Sequence, residues 1–237
     1  LILLLTTLAF CVVIIEILLR VAGIEYSTFV VSDPVLGWSL RKGGHGWYRA
    51  EGNAHVRINS HGFRGPETTL EKPAGTYRIA MLGDSFTVGL DVAEEELAAT
   101  IIQQNLHKCP GTGGKKVEVL NFGVGGYGTA QELIQFRTQA TKFKPDLVVL
   151  QFFVSNDVFD NYRTLRESLR DEAPYYVADA HGNLVIDETF RQNRDRRLVL
   201  DAGGTAIYYS RFLQLCNQAR KVIAVAVTAM KERNKNL

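Results

Sequence analysis

The chain is poor in cysteine, with three among 237 residues, and Cys11, Cys109 and Cys216 show no metal-ligand spacing. A disulfide-built scaffold is excluded, and nothing in the cysteines points to a metal site. Cys11 lies in an apolar stretch, so only Cys109 and Cys216 are left to pair with each other. Charge of one sign is also missing. Twenty-seven Lys and Arg stand against 25 Asp and Glu, a formal net charge of +2 with no long basic run, and nothing in that balance indicates a nucleic-acid-binding surface. No segment is of low complexity. With 46% hydrophobic and 22% charged residues, the composition is that of a globular protein and excludes disorder and collagen-like repeats.

What the sequence does have is one long hydrophobic run at its start. Residues 1–22 are apolar apart from Thr6, Thr7, Glu16 and Arg20, and a helix of roughly 20 such residues spans a bilayer core. A cleavable signal has a shorter apolar region, about 7–15 residues, behind a basic flank, so a retained transmembrane anchor is the better reading. The chain opens on Leu1, without the basic flank that orients such a helix. We therefore expect residues to be missing before it. Glu16 and Arg20 are spaced i, i+4 and can pair on one helix face, with Arg20 reaching to the interface. The alternative for these two is a contact with a membrane partner.

Residues 24–75, rich in Gly, aromatic and basic residues, read as a linker plus short strands packed on the main domain. From Tyr77 apolar runs alternate with helical stretches. Tyr77–Leu82 is a buried strand ended by Gly83, and residues 92–106 form a helix with Glu94, Glu95 and Glu96 near its start, where the dipole favours them. Residues 117–122 are a second strand. Thr129 and Glu132 form a T-x-x-E capping box opening a helix that runs to Phe143. Leu147–Phe153 is a third strand, apolar almost throughout and so expected to be covered on both faces. The sum is an α/β fold, an open parallel sheet with flanking helices in three layers. Residues 160–205 read as an insertion with a hairpin, and residues 207–233 as one long helix. Three strands are few for such a sheet, so a continuation past Leu237 is expected. The expected parts are 1–23, anchor; 24–75, extension; and 76–237, the α/β domain.

Ligands bind outside the carboxyl ends of strands in open α/β sheets, and three polar or Gly-rich clusters fall there: Gly83-Asp84-Ser85-Phe86-Thr87, residues 121–128 (NFGVGGYG), and Ser155-Asn156-Asp157. Ser85 follows a strand behind a glycine and precedes a helix, so it can be a nucleophile or merely a helix cap. Gly126 can offer an N–H to a substrate or be a turn glycine, and Asn156 can donate an amide to an oxyanion or close a turn.

These blocks, in this order, resemble the SGNH (GDSL-type) hydrolase superfamily, particularly its membrane-anchored bacterial branches. The resemblance covers residues 56–159 and includes Asn59-Ser60-His61-Gly62-Phe63-Arg64, similar to an N-S-x-G-F-R stretch of those branches. It implies Ser85 as nucleophile and first oxyanion N–H, Gly126 as second N–H, Asn156 as amide donor, and Asp84 as a supporting residue that orients the loop. It implies no cofactor and no metal, an ester-bearing substrate such as an O-acetylated envelope glycan, and a catalytic domain outside the cytoplasmic membrane.

The family's D-x-x-H block has no counterpart among these residues. His45, His55, His61, His107 and His181 match it neither in position nor in spacing. Because Ser85 needs a base, the Asp/His pair is expected beyond Leu237. A second reading is a catalytically degenerate, membrane-tethered module that binds a glycan or scaffolds an envelope complex. Residues 123–128 also spell G-x-G-x-x-G, but the helix starts after the last glycine and the next acid comes late, which argues against a dinucleotide.

Overall fold

The computed structural model describes residues 1–165, 172–192 and 194–235. Helix α1 (Ile2–Val21) is followed by two antiparallel hairpins, β1 (Val30–Asp33) with β2 (Gly37–Leu40) and β3 (His45–Tyr48) with β4 (Ala54–Arg57). The α/β part comprises β5 (Thr76–Gly83), α2 (Ser85–Val88), α3 (Ala98–His107), β6 (Lys116–Asn121), α4 (Thr129–Thr138), β7 (Leu147–Gln151) and α5 (Asp157–Asp160). A third hairpin, β8 (Tyr175–Ala178) with β9 (Leu184–Asp187), precedes α6 (Arg194–Tyr209) and α7 (Arg211–Lys235).

Strands β5, β6 and β7 form a parallel sheet in the order β6-β5-β7. Side chains alternate across a strand, and here each face has its own cover. Ala80, Leu82, Leu120 and Phe122 pack against Ala140, Phe143 and Phe63, whereas Ile79, Met81, Val117 and Val119 pack against Ala99 and, behind it, Ile102 and Leu106 of α3. This is the three-layer α/β architecture that the alternation of strands and helices predicts. The apolar helix α1 is long and apolar enough to cross a membrane; of its twenty residues Leu19 alone is buried.

Four local expectations are corrected. Strand β7 is not covered on both faces: Leu147 and Leu150 are 44% and 46% exposed. It is the sheet's edge, hydrogen-bonded to β5 alone among the described residues. The helix expected from residue 92 begins at Ala98, because Glu96 turns back to accept from Ala93 N at 3.0 Å and closes a separate short turn. The capping box at Thr129 does not form. Gly128 is the N-cap, which leaves Thr129 already inside the helix, and the Thr129 hydroxyl and Glu132 carboxylate have no hydrogen-bond partner. Asn161 Oδ1 instead accepts from Ala130 N at 2.8 Å, and the helix ends at Thr138, before a short turn of residues 140–143.

The single long helix expected over residues 207–233 is two helices that break at Ser210. The cause lies in α1. Glu16 accepts from Ser210 Oγ (2.9 Å), Arg211 N (3.0 Å) and Phe212 N (2.9 Å), so a residue nearly 200 positions away caps α7. Glu16 also makes the local pair with Arg20 that its spacing predicts, at 2.7 Å.

The first N-terminal hairpin positions the loop that follows β6. Trp38 Nε1 donates to Gly125 O at 3.0 Å, Tyr127 Oη donates to Trp38 O at 2.5 Å, and Gln131 Nε2 donates to Leu36 O at 2.8 Å. Around these bonds Leu36, Leu40, Val56, Val124 and Ile134 form one core with Tyr175 of the third hairpin and with Ala173 just before it.

Candidate active site at the strand ends

Strand β5 ends at Gly83, and the chain turns at once into the short helix α2 with Asp84 as its N-cap. Asp84 is fully buried and accepts from Phe86 N at 2.9 Å; Ser85, the next residue, is exposed. A side chain at Gly83 would overlap Thr87 Oγ1, and one at Gly123 would run into Val88 N. Both positions must be glycine for this turn to nest against the sheet.

Three neighbours hold the turn. Asn121 donates from Nδ2 to Thr87 O at 2.8 Å and accepts from Gly123 N at 2.9 Å, so the end of β6 grips both loops. Thr87 Oγ1 donates to Gln151 Oε1 at the end of β7 (2.9 Å). Arg64, 1% exposed, donates to Val88 O (3.2 Å) and Val92 O (2.5 Å) and so bonds the carbonyls that follow Ser85. Burial holds its pKa below the usual arginine value, against the pull of Glu94 and Asp91. Asn59 Oδ1 accepts from the backbone N–H groups of His61, Gly62 and Phe63, which shapes the loop that presents Arg64. The sequence pointed to 59–64 as a block; the bracing role of Arg64, and those of Asn121 and Gln151, needed the structure.

Ser85 and Gly126 come together on a cavity of about 460 Å³. A Cβ on Gly125 would stand 3.8 Å from Ser85 Cβ, so the two loops touch. Tyr26 and Tyr48 wall the cavity from the N-terminal part of the chain, and Gln214, Gln218 and Lys221 of α7 wall it from the other side. Asn156 does not line this cavity; it is half-buried, and its Nδ2 donates to Asp160 Oδ2 at 3.1 Å. None of the five histidines lines it either. His61, for example, contacts Thr68 O through Nε2 at 2.9 Å.

Under the turn that carries Ser85 lies a feature that sequence reading missed. Asp84, Glu132 and Asp157 are each 0% exposed, and they come from the three elements that build the site. One oxygen of Asp84 is used by Phe86 N and one of Asp157 by Phe153 N (2.6 Å). The other oxygen of each, and both of Glu132, have no hydrogen-bond partner. Burial, then the charges of Asp157 and Asp84, push the Glu132 carboxyl up to about 8. The Asp157 carboxyl is also raised, by burial first and by Asp84 and Asp160, against the lowering effect of the Phe153 N–H. A buried carboxylate without a donor is costly, so Glu132 carries its proton near neutrality. No group of ligands that could hold a metal is found among the described residues.

A family model described as GDSL-like lipase/acylhydrolase matches residues 79–225. The chain belongs to that family. No curated protein matches it. The matched segment of this GDSL-like acylhydrolase takes in all three strand-end loops, and its family implies hydrolysis of ester bonds. The T-x-x-E spacing that pointed to a cap was the available signal for Glu132, and it led to the wrong role.

Proposed function

We propose that the chain is a membrane-anchored serine esterase whose substrate is an acyl ester of an envelope polysaccharide, with residues 1–23 as anchor, 24–75 as extension and 76–237 as the α/β domain outside the cytoplasmic membrane. The observation that carries this reading is Ser85, exposed at the start of α2 and facing Gly125 and Gly126 across the cavity. Ser85 Oγ attacks the ester carbonyl, its proton ending on the alcohol that leaves as the C–O bond breaks; water or a sugar hydroxyl then takes the acyl group and returns a proton to Ser85 Oγ. The N–H groups of Ser85 and Gly126 and the amide of Asn156 hold the oxyanion, for which Asn156 must let go of Asp160. Asp84 orients the turn through Phe86 N. A polar wall of Gln214, Gln218 and Lys221 beside two tyrosines suits a carbohydrate better than an acyl chain alone.

The second reading, a non-catalytic glycan-binding module, is favoured by one observation, that no histidine lines the cavity. Reaction of the full chain with a fluorophosphonate probe separates the two. Labelling that disappears in Ser85→Ala, with release of acetate from an O-acetylated glycan, is the esterase outcome. Glycan binding with no labelling and no acetate release would replace the enzyme with the module.

A further inference from the structure

Beside the last turn of α1 lies a second cavity, of about 570 Å³, separate from the Ser85 cleft. Four cations line it, Arg20, Arg41, Lys42 and Arg211, with Glu25 as the one carboxylate. Two of the four are already paired: Arg20 with Glu16 at 2.7 Å, and Arg211 with Glu25 at 2.5 Å. Arg41 and Lys42 have no ion pair among the described residues. The Arg41 guanidinium lies 4.6 Å over the Tyr208 ring, and its buried Nε has no acceptor. The Nε is shut off from the cavity, but a guanidinium stacked on a ring and free of any carboxylate partner among the described residues keeps its Nη edge for a planar or tetrahedral oxyanion. His45 and His55, also in the wall, add further ring nitrogens.

We propose that this cavity binds the phosphate group of an anionic membrane lipid, held by Arg41 and Lys42. Its place selects that source over a free phosphate. Arg20, at the end of the apolar helix, is part of the cavity wall, so with α1 in a bilayer the cavity opens at headgroup level. A cation held at that depth attracts an anionic headgroup by direct Coulomb interaction, strengthened at the low-dielectric boundary whichever leaflet it faces. The inference rests on the membrane reading of α1 but not on the chemistry at Ser85.

The test uses the full chain in an uncharged detergent, titrated with phosphatidylglycerol, phosphatidylcholine or inorganic phosphate, and scored for bound species by native mass spectrometry. Phosphatidylglycerol is expected to bind one per chain and about tenfold or more tighter than phosphatidylcholine. Lys42→Gln, at an exposed position where a substitution shifts stability little, should weaken it several-fold, and Arg41→Gln with Lys42→Gln should bring it to the phosphatidylcholine level. Lys108→Gln, an exposed cation elsewhere, should change nothing. Equal binding of both lipids, or phosphatidylglycerol binding indifferent to Arg41 and Lys42, overturns the proposal. So does retention of inorganic phosphate in place of the lipid. Alkaline carbonate extraction of membranes is run in parallel; release of the wild-type chain there defeats the anchor reading instead.

Discussion

The two ends of β5 treat buried charge in opposite ways. At the amino end Arg78 is fully buried and fully served: it donates to Glu118 Oε2 through Nε (3.1 Å) and Nη2 (2.7 Å), and through Nη1 to Phe143 O (2.9 Å) and Leu70 O (3.2 Å). Burial works to raise the Glu118 pKa, but Arg78 and Lys116 outweigh it and the carboxyl sits below its usual range. At the carboxyl end Asp84, Glu132 and Asp157 are as deeply buried, with no ion pair to a cation among the described residues and four of their oxygens unpartnered. One end is built to hold the sheet together. The other accepts an electrostatic cost beneath the loops that carry Ser85 and Asn156, as sites of chemistry commonly do.

Ser85→Ala tests that contrast most severely. Turnover of an ester substrate should vanish while the thermal melt stays at the wild-type temperature; activity that survives would remove the carboxyl end as the place of chemistry. Asn156→Ala should lower kcat by about 10²–10³, the scale for losing one oxyanion donor, with KM little changed. At the amino end, Arg78→Met should leave kcat alone and cost about 3 kcal/mol in chemical denaturation, since Glu118 and two carbonyls would lose their donor in a buried setting.

Glu132→Gln sharpens the comparison through pH. The folded-state pKa of Glu132 is raised, from 4.5 to about 8, so the folded chain holds a proton that the unfolded chain has released across that window. Its contribution is fully present below about pH 4.5 and is lost by about 1.4 kcal/mol per pH unit as pH rises towards 8. The glutamine variant should flatten this slope, matching wild type in acid and exceeding it in stability near pH 8. Equal slopes in both proteins would mean that Glu132 is ionised and served by a donor. Lys116→Ala should have the smallest effect, below about 1 kcal/mol, because its 3.3 Å bond to Glu118 is made by an exposed side chain.

The parallel sheet was legible because its signals are local and short. Residues 77–82 and 117–122 are apolar runs ended by glycine or a polar turn, and two of the three strand-end clusters, those of Ser85 and Gly126, do meet on one cavity. The elements that were misread answer to distant partners. Nothing in residues 207–233 announces a break at Ser210, since its cause is Glu16 on another helix. The T-x-x-E pattern at Thr129 satisfies a capping rule, yet Gly128 takes the cap and Glu132 turns inward towards Asp84 and Asp157. An apolar strand such as Leu147–Phe153 reads as doubly covered, but sequence does not say how many neighbours a strand has. Asn156 was singled out by its block, but neither its bond to Asp160 nor its place outside the Ser85 cavity was visible there.

The cap that Glu16 supplies bears on how the protein is handled. Cutting away residues 1–21 to obtain a soluble enzyme also takes away the acceptor for Ser210 Oγ and for the first two N–H groups of α7. The loss of such a cap costs roughly 1 kcal/mol. It would loosen the helix that presents Gln214, Gln218 and Lys221 to the cleft. Any difference between a trimmed form and the full chain in what the cleft binds would then belong to the trimming. Retaining the helix in a nanodisc, or supplying a new acidic cap ahead of Ser210, would keep that wall in place.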